Sequence, residues 1–367
     1  MLRNAEVWLV VGTRPEAIKL SPVASALGEH GLDCVLALTG QHPALDPAEF
    51  GLGHLRRIDL DCPGRPCPDA HVAQVRRALG QKLAPPPALV VVQGDTSSAL
   101  GAAEAAFDRA IPVAHVEAGL RTGDLASPWP EEAYRTAIDQ CATLLFAPTE
   151  GAAANLAAEH APGAAFVTGN SGIDAVLEAS AKLPAPSLRE AARPMLLVTC
   201  HRRESWGAGL KGIAEAVADI AGSGLADVRF VLHPNSHVAA AMRQSLGGRA
   251  GVELAEPCGH SEMLAHMRDA SLILSDSGGM QEEAPALGVP LLVLRDKTER
   301  PEGLATGNAR LVGTDPDRIV AEVRALLGDP VGLAAMSRRA FPYGDGRAAP
   351  RIAGLIAEWI AARRLRA

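Results

Sequence analysis

The chain has 367 residues, 48% of them hydrophobic, enough for the cores of two ordinary domains. Its formal net charge of −7 at pH 7 argues against a nucleic-acid partner. No apolar run approaches the roughly eighteen residues of a membrane span, so no membrane partner is expected.

Six Cys occur, with no CxxC pair and no metal-like Cys/His spacing, so no metal site is expected. Reduced thiols and the lack of a signal-peptide pattern after Met1 point to the cytoplasm. Thirty of the 35 basic residues are Arg, which makes any single Arg weak evidence for a phosphate site.

In chain order, short apolar runs alternate with helical patterns. Residues 7–11 are followed by a helix from Pro15 and then by 35–38. After Pro85-Pro86-Pro87 come 89–92 and an Ala-rich helix, and 113–116, 144–146 and 166–167 complete a first set of six strands. A Pro-bearing segment, 183–194, leads to a second set at 196–199, 230–232, 252–254, 272–274, 291–294 and 310–312. Continuous apolar strands between helices mean parallel sheets covered on both faces. The fold class is therefore α/β, with two Rossmann-like domains and a cleft between them. A last helix, 351–363, carries Ile352, Leu355, Ile356, Trp359 and Ile360 on one face and would close either domain.

Ligands of doubly wound sheets sit beyond the carboxyl ends of the strands. There the chain places Gly12-Thr13-Arg14-Pro15-Glu16, Gly94-Asp95-Thr96, His201-Arg202-Arg203-Glu204, His233-Pro234-Asn235, Ser275-Asp276-Ser277-Gly278-Gly279 and Arg295-Asp296-Lys297. Arg14 stands where an anion would meet a helix N-terminus, and Ser277-Gly278-Gly279 opens a helix whose backbone N–H groups suit a diphosphate. Glu283, one turn along, suits ribose hydroxyls. The longest such segment, 112–132, leaves a buried strand and collects Glu117, Arg121, Asp124, Glu131 and Glu132. Each of these also reads as an ordinary cap or solvated loop; their clustering at strand ends is the signal. The GxGxxG at 207–212 is six residues removed from its strand and is not read as a dinucleotide site.

GTRPEAIKLSPV at 12–23, GDTSSAL at 94–100, HVEAGLRTGDLASPWPEEAYR at 115–135, HRRES at 201–205, SDSGGMQEEAPALG at 275–288, RDKTERPE at 295–302 and PYGDG at 342–346 are similar to segments of the non-hydrolysing bacterial UDP-N-acetylglucosamine 2-epimerases. The resemblance runs in order over nearly the whole chain. It implies GT-B architecture with the active site in the interdomain cleft. Residues 1–170 with the helix 350–367 would carry the catalytic acids, and 171–349 would bind the UDP moiety. It implies an isomerase without cofactor, a cytoplasmic homodimer serving cell-envelope polysaccharide synthesis. The implied reaction interconverts UDP-GlcNAc and UDP-ManNAc by elimination of UDP to 2-acetamidoglucal and re-addition.

A base must take the C2 proton and a proton must return to the opposite face, so one immobile carboxylate does not suffice. By resemblance the acids are Asp95, Glu117 and Glu131. Arg14, His233 and the Ser277-Gly278-Gly279 amides suit the departing diphosphate, although His233-Pro234-Asn235 departs from the family's His-x-Asn-Pro order. Asn170 falls at the implied domain junction, and Arg300, in RDKTERPE, joins Glu283 among the implied substrate contacts. A second, allosteric nucleotide site would involve Gln41, His42, Arg65, Arg202 and Arg203. Pro63-Gly64-Arg65-Pro66 stands where the family has Pro-Gly-Gln. A sibling epimerase of a diacetamido-uronic acid sugar, a GT-B glycosyltransferase and a non-catalytic UDP-sugar sensor are the competing readings. The last two have little use for three acids.

Overall fold

Runs of Val, Leu and Ala that only two helix layers can cover build two separate sheets in the computed structural model, which describes residues 5–126, 128–184, 193–200 and 207–366. The chain divides into two compact units, residues 1–175 with 343–367, and residues 176–342. Among the described residues no helix is long and apolar enough to cross a membrane.

The first unit contains β1 (Glu6–Val11), α1 (Arg14–Glu29), β2 (Asp33–Leu38), β3 (Arg56–Asp59), α2 (Pro68–Lys82), β4 (Leu89–Gln93), α3 (Ser97–Phe107), β5 (Val113–Val116), α4 (Glu131–Cys141), β6 (Leu144–Ala147), α5 (Glu150–Ala158) and β7 (Ala164–Val167), and it ends within α6 (Ser171–Lys182). Its strands pair in parallel in the order β3-β2-β1-β4-β5-β6-β7. β4 is buried along its whole length, as a strand covered on both faces must be. One apolar cluster packs α2, α3 and α4 on one face of the sheet, and another packs α1 and the C-terminal helix on the opposite face.

The six strands read from apolar runs in this half are present, together with β3, which that reading missed. β3 is Arg-Arg-Ile-Asp, an exposed edge strand held by Arg56 to Glu6 at 2.6 Å and carrying an Arg57–Asp59 pair at 2.7 Å. Charged edge strands discourage further pairing and leave no apolar run to recognise. The first helix begins one residue earlier than expected. Thr13 is its N-cap and closes a capping box with Glu16, so Pro15 occupies the second helical position.

The second unit contains β8 (Met195–Thr199), α7 (Ala208–Gly222), β9 (Asp227–Val231), α8 (Ser236–Leu246), β10 (Val252–Ala255), α9 (His260–Asp269), β11 (Leu272–Ser275), α10 (Gly278–Leu287), β12 (Leu291–Val293), α11 (Glu302–Ala305), β13 (Ala309–Leu311), α12 (Pro316–Leu327) and α13 (Pro330–Met336). The parallel order is β10-β9-β8-β11-β12-β13. α14 (Ala348–Arg366) returns to the first unit, where Ile352, Ile356 and Ile360 pack in the core with α1. Asp174 on α6 accepts from the backbone N–H groups of Ala348 (3.1 Å) and Ala349 (2.8 Å), capping that helix.

Both sheets reverse their strand order once, between β1 and β4 and between β8 and β11. Crossovers depart to opposite faces at such a point and leave a crevice beyond the strand ends. The loops Gly12–Arg14 and Gly94–Thr96 flank the first, and Cys200 and Ser275–Ser277 flank the second.

Helix α3 approaches α2 closely because Gly101 faces it. A Cβ there would stand 2.6 Å from the Val72 carbonyl oxygen and 2.9 Å from Val75 Cβ. Gly101→Val is expected to lower unfolding free energy by about 1–3 kcal/mol through overpacking. Urea denaturation measures it; an unshifted transition would mean the two helices part at no cost.

Candidate active site

At the first reversal, Glu16 joins the two sides. Its buried carboxylate accepts from Gly12 N (2.8 Å), Thr13 N (2.6 Å), Thr13 Oγ1 (2.9 Å) and, across the crevice, Thr96 Oγ1 (2.6 Å). Burial pushes its carboxyl above the usual range, and these bonds partly offset that. Arg14 opens α1 and is exposed. Burial first, and then the Arg14 charge, hold the His42 imidazole below its ordinary value, so Arg14 and His42 are neighbours. His42 lines a cavity of about 300 Å³ with Gly12, Gly40, Arg57 and Asp59. Gln41 is pinned by Ser98 Oγ, which donates to its Oε1 at 2.7 Å. Arg65 is exposed and donates from Nε to Gln74 at 2.5 Å.

The three expected acids lie at the carboxyl edge of the same sheet. Asp95 follows Gly94, whose φ of +68° is left-handed. Its carboxylate accepts from Arg135 Nε at 3.0 Å and from Arg135 Nη2. Arg135 also donates from Nη1 to Glu132 at 3.0 Å, and the other oxygen of Glu132 accepts from Thr122 N and Gly123 N, both at 2.9 Å. One guanidinium thus ties Asp95 to the loop ahead of α4. Glu131 is half-buried at the first position of α4, one helical turn from Arg135.

Glu117 follows the last residue of β5 with φ +72°, a conformation that side chains rarely adopt. Its N–H bonds to Phe146 O at 3.0 Å, completing the edge of the sheet. Its Oε2 accepts from Lys19 Nζ and from Gln93 Nε2, the latter at 2.7 Å. The Glu117 side chain is 7% exposed and that of Lys19 11%. Asn170 is buried; it accepts on Oδ1 from Gly172 N at 2.8 Å, opening α6, and its own N–H donates to Tyr343 O at 2.6 Å. A Cβ on Gly172 would lie 3.0 Å from Asn170 Oδ1 and 3.2 Å from Lys19 Cε, so Lys19 passes beside Asn170.

In the second unit, Thr199 and Ser275 bond hydroxyl to hydroxyl at 2.7 Å across its reversal point, and Ser277 N donates to Ser275 Oγ at 3.0 Å. Ser277 is the N-cap of α10, so Gly278 and Gly279 lie in its first turn, where backbone N–H groups have no intrahelical acceptor. A Cβ on Gly278 would meet Arg300 Cζ at 2.9 Å. Arg300, an expected substrate contact, packs its guanidinium against Gly278 in this turn. It is buried and shared with Glu282 (2.6 Å) and Glu299, and Glu299 is also paired with Arg295 at 3.0 Å. Glu283 lies 3.5 Å from His260 Nε2. His233 accepts on Nδ1 from Asn235 N at 2.9 Å, which holds the turn into α8. Burial lowers its pKa against the opposing Asp276 charge. Arg202 and Arg203 lie outside the described residues.

Lys19, Gln93 and Arg135 carry no role in the sequence reading, whereas Glu132 stands there among the charged residues of 112–132. Gln93 gave a signal, a polar residue closing an otherwise apolar Leu-Val-Val-Val strand. Lys19 and Arg135 look like ordinary helical cations until the fold pairs them.

A family profile described as UDP-N-acetylglucosamine 2-epimerase matches residues 25–357. A UDP-N-acetylglucosamine 2-epimerase of Escherichia coli K12 is 43% identical over 369 residues, covering 95% of this chain and 97% of its own. The crystal structure of UDP-GlcNAc 2-epimerase from Neisseria meningitidis bound to UDP-GlcNAc superposes with a TM-score of 0.90 at 36% identity, covering 96% of this chain and 100% of that one. CalG4, the calicheamicin glycosyltransferase, shares the fold alone, at TM-score 0.60 and 15% identity over 98% of this chain and 99% of its own.

The Glu132 carboxylate holds two backbone N–H groups, and bonds to charged acceptors are the stronger kind. Glu132→Ala is expected to speed amide hydrogen exchange at Thr122 and Gly123 by about tenfold to a hundredfold. Unchanged protection in a folded variant would show that the loop is held by other contacts.

Proposed function

The chain belongs to the UDP-N-acetylglucosamine 2-epimerase family, and from that membership we propose that it interconverts UDP-GlcNAc and UDP-ManNAc by eliminating and re-adding UDP. A carboxylate takes the C2 proton while the C1–O bond breaks, its electron pair leaving with the diphosphate. The 2-acetamidoglucal then receives a proton at C2 from the opposite face as the diphosphate oxygen returns to C1. The observation that carries this reading is the gathering of Asp95, Glu117 and Glu131 at one sheet edge, two of them fixed by Arg135 and by Lys19 with Gln93.

Unit 1 supplies the acid–base groups. Lys19 beside Glu117 holds its carboxylate in place by a charge-assisted bond. Arg135 does the same for Asp95. Unit 2 supplies the nucleotide contacts: the Ser277–Gly279 turn takes the diphosphate and Glu283 the ribose hydroxyls. Arg300 adds positive potential beneath Gly278. His233, accepting on Nδ1, offers its Nε2 proton to an anion. Arg14, exposed at the first turn of α1, adds a cation on the sugar side. We further propose a cytoplasmic homodimer serving cell-envelope polysaccharide synthesis; six free cysteines agree with a reducing compartment.

Incubation with UDP-GlcNAc in D2O is expected to place deuterium at C2 of both epimers. UDP release with a sugar transferred to an acceptor, and no exchange at C2, would overturn the epimerase reading. Glu117→Gln is expected to cut turnover by about two to four orders of magnitude, the usual worth of a positioned acid–base group, with little change in UDP affinity. Loss of UDP binding in a folded variant would make Glu117 a binding residue instead.

A further inference from the structure

His115 lies on β5, two residues before Glu117, with no exposed surface. Both ring nitrogens face oxygen atoms that only accept. Nδ1 lies 2.6 Å from Asp139 Oδ1, and Nε2 lies 2.8 Å from the carbonyl oxygen of Gly94, the residue before Asp95. Asp139, on α4, is wholly buried and is otherwise surrounded by donors: its Oδ2 accepts from Arg121 Nη2 at 2.7 Å and from Gly119 N at 3.2 Å. Arg121 and the Gly119 amide can only donate, and the bonds they make favour Asp139 as a carboxylate. An ionised Asp139 has no proton to give, and a backbone carbonyl never has one. A neutral imidazole carries one N–H and would leave one of these buried acceptors without a donor, at a cost of about 1–3 kcal/mol.

The remaining groups around the ring agree. Arg121, on the loop after β5, is balanced on its far side by Glu159 beyond α5, at 2.6 Å. Helix α3, also packed on β5, turns its one acid, Glu104, to Arg76 on α2. β4 and β6 bring no charged side chain.

The ring takes over where the β4–β5 ladder ends. Gly94 N donates to Val116 O at 3.0 Å, the last backbone bond of that ladder, and the Gly94 carbonyl is then held by His115. The left-handed peptide from which Asp95 projects is thereby fixed at both ends to the strand that leads into Glu117. We propose that His115 is a doubly protonated, Asp139-paired positioning residue that sets the separation of Asp95 and Glu117. Its catalytic consequence rests on the epimerase reading; its protonation does not.

The test is nitrogen-15 NMR of histidine-labelled resting protein at neutral pH, with the His115 ring assigned through its backbone. Both ring nitrogens are expected to carry protons. One protonated and one bare nitrogen would overturn the proposal whatever the substrate proves to be. Asp139→Asn, checked for folding by circular dichroism, is expected to lower kcat roughly 10²-fold with KM within about twofold, the mark of misplaced catalytic groups rather than lost binding. A folded variant with full kcat would also overturn it. Should the variant fail to fold, the NMR result decides alone, and loss of all C2 exchange in the parent protein would count against the epimerase reading only.

Discussion

Glu117 is a glutamate forced into left-handed backbone at the end of a buried strand. Such a conformation costs on the order of 1–3 kcal/mol and persists only where its surroundings over-determine it. Here they do. The N–H groups of Glu117 and Ala118 both bond to Phe146 O, at 3.0 and 3.1 Å, and the carboxylate is gripped by Lys19 and Gln93. The turn directs the carboxylate back toward α1 and β4, to the reversal point of the sheet, where an extended residue would have carried the side chain onward with the loop. The placement of the other groups follows from this one. Lys19 must lie on the face of α1 that passes Gly172 and Asn170, and Gln93 must close β4.

The two units use one topology for opposite electrostatic ends. In the first, the sheet edge collects carboxylates, each held by named donors: Glu16 by hydroxyls and amides, Glu117 by Lys19 and Gln93, Asp95 by Arg135. In the second, it presents a helix N-terminus with two glycines, Arg300 against the turn, and a histidine whose ring burial favours the neutral form. Acid–base chemistry on a carbon needs the first kind of environment, and an anionic leaving group needs the second.

Much of this was legible in the sequence. Twelve apolar runs marked all but one of the strands, because parallel strands covered on both faces cannot hide their composition. β3 escaped since an edge strand of Arg-Arg-Ile-Asp has no such run. Asp95 and Glu117 follow strand ends, and the family resemblance adds Glu131 to them as the acids. Their partners did not stand out, because an ion pair between residues 98 positions apart, Lys19 and Glu117, leaves no local trace. His115 read as part of a β-strand for the same reason: its meaning lies in Asp139, 2.6 Å away in space and 24 residues away in sequence. Arg300 is an implied substrate contact by resemblance, and only the fold shows it packed against Gly278 among Glu282 and Glu299.

Lys19, Gln93 and the left-handed backbone act together in holding the Glu117 carboxylate. A double-mutant cycle tests it most directly, with the rate of hydrogen exchange at C2 of UDP-GlcNAc measured in the parent, Lys19→Met, Glu117→Gln and the double variant. Strong non-additivity is expected, the double variant exchanging no more slowly than Glu117→Gln alone, because residues that act as a unit lose their effect together. Losses that simply add would mean that Lys19 acts independently of Glu117, and would contradict it.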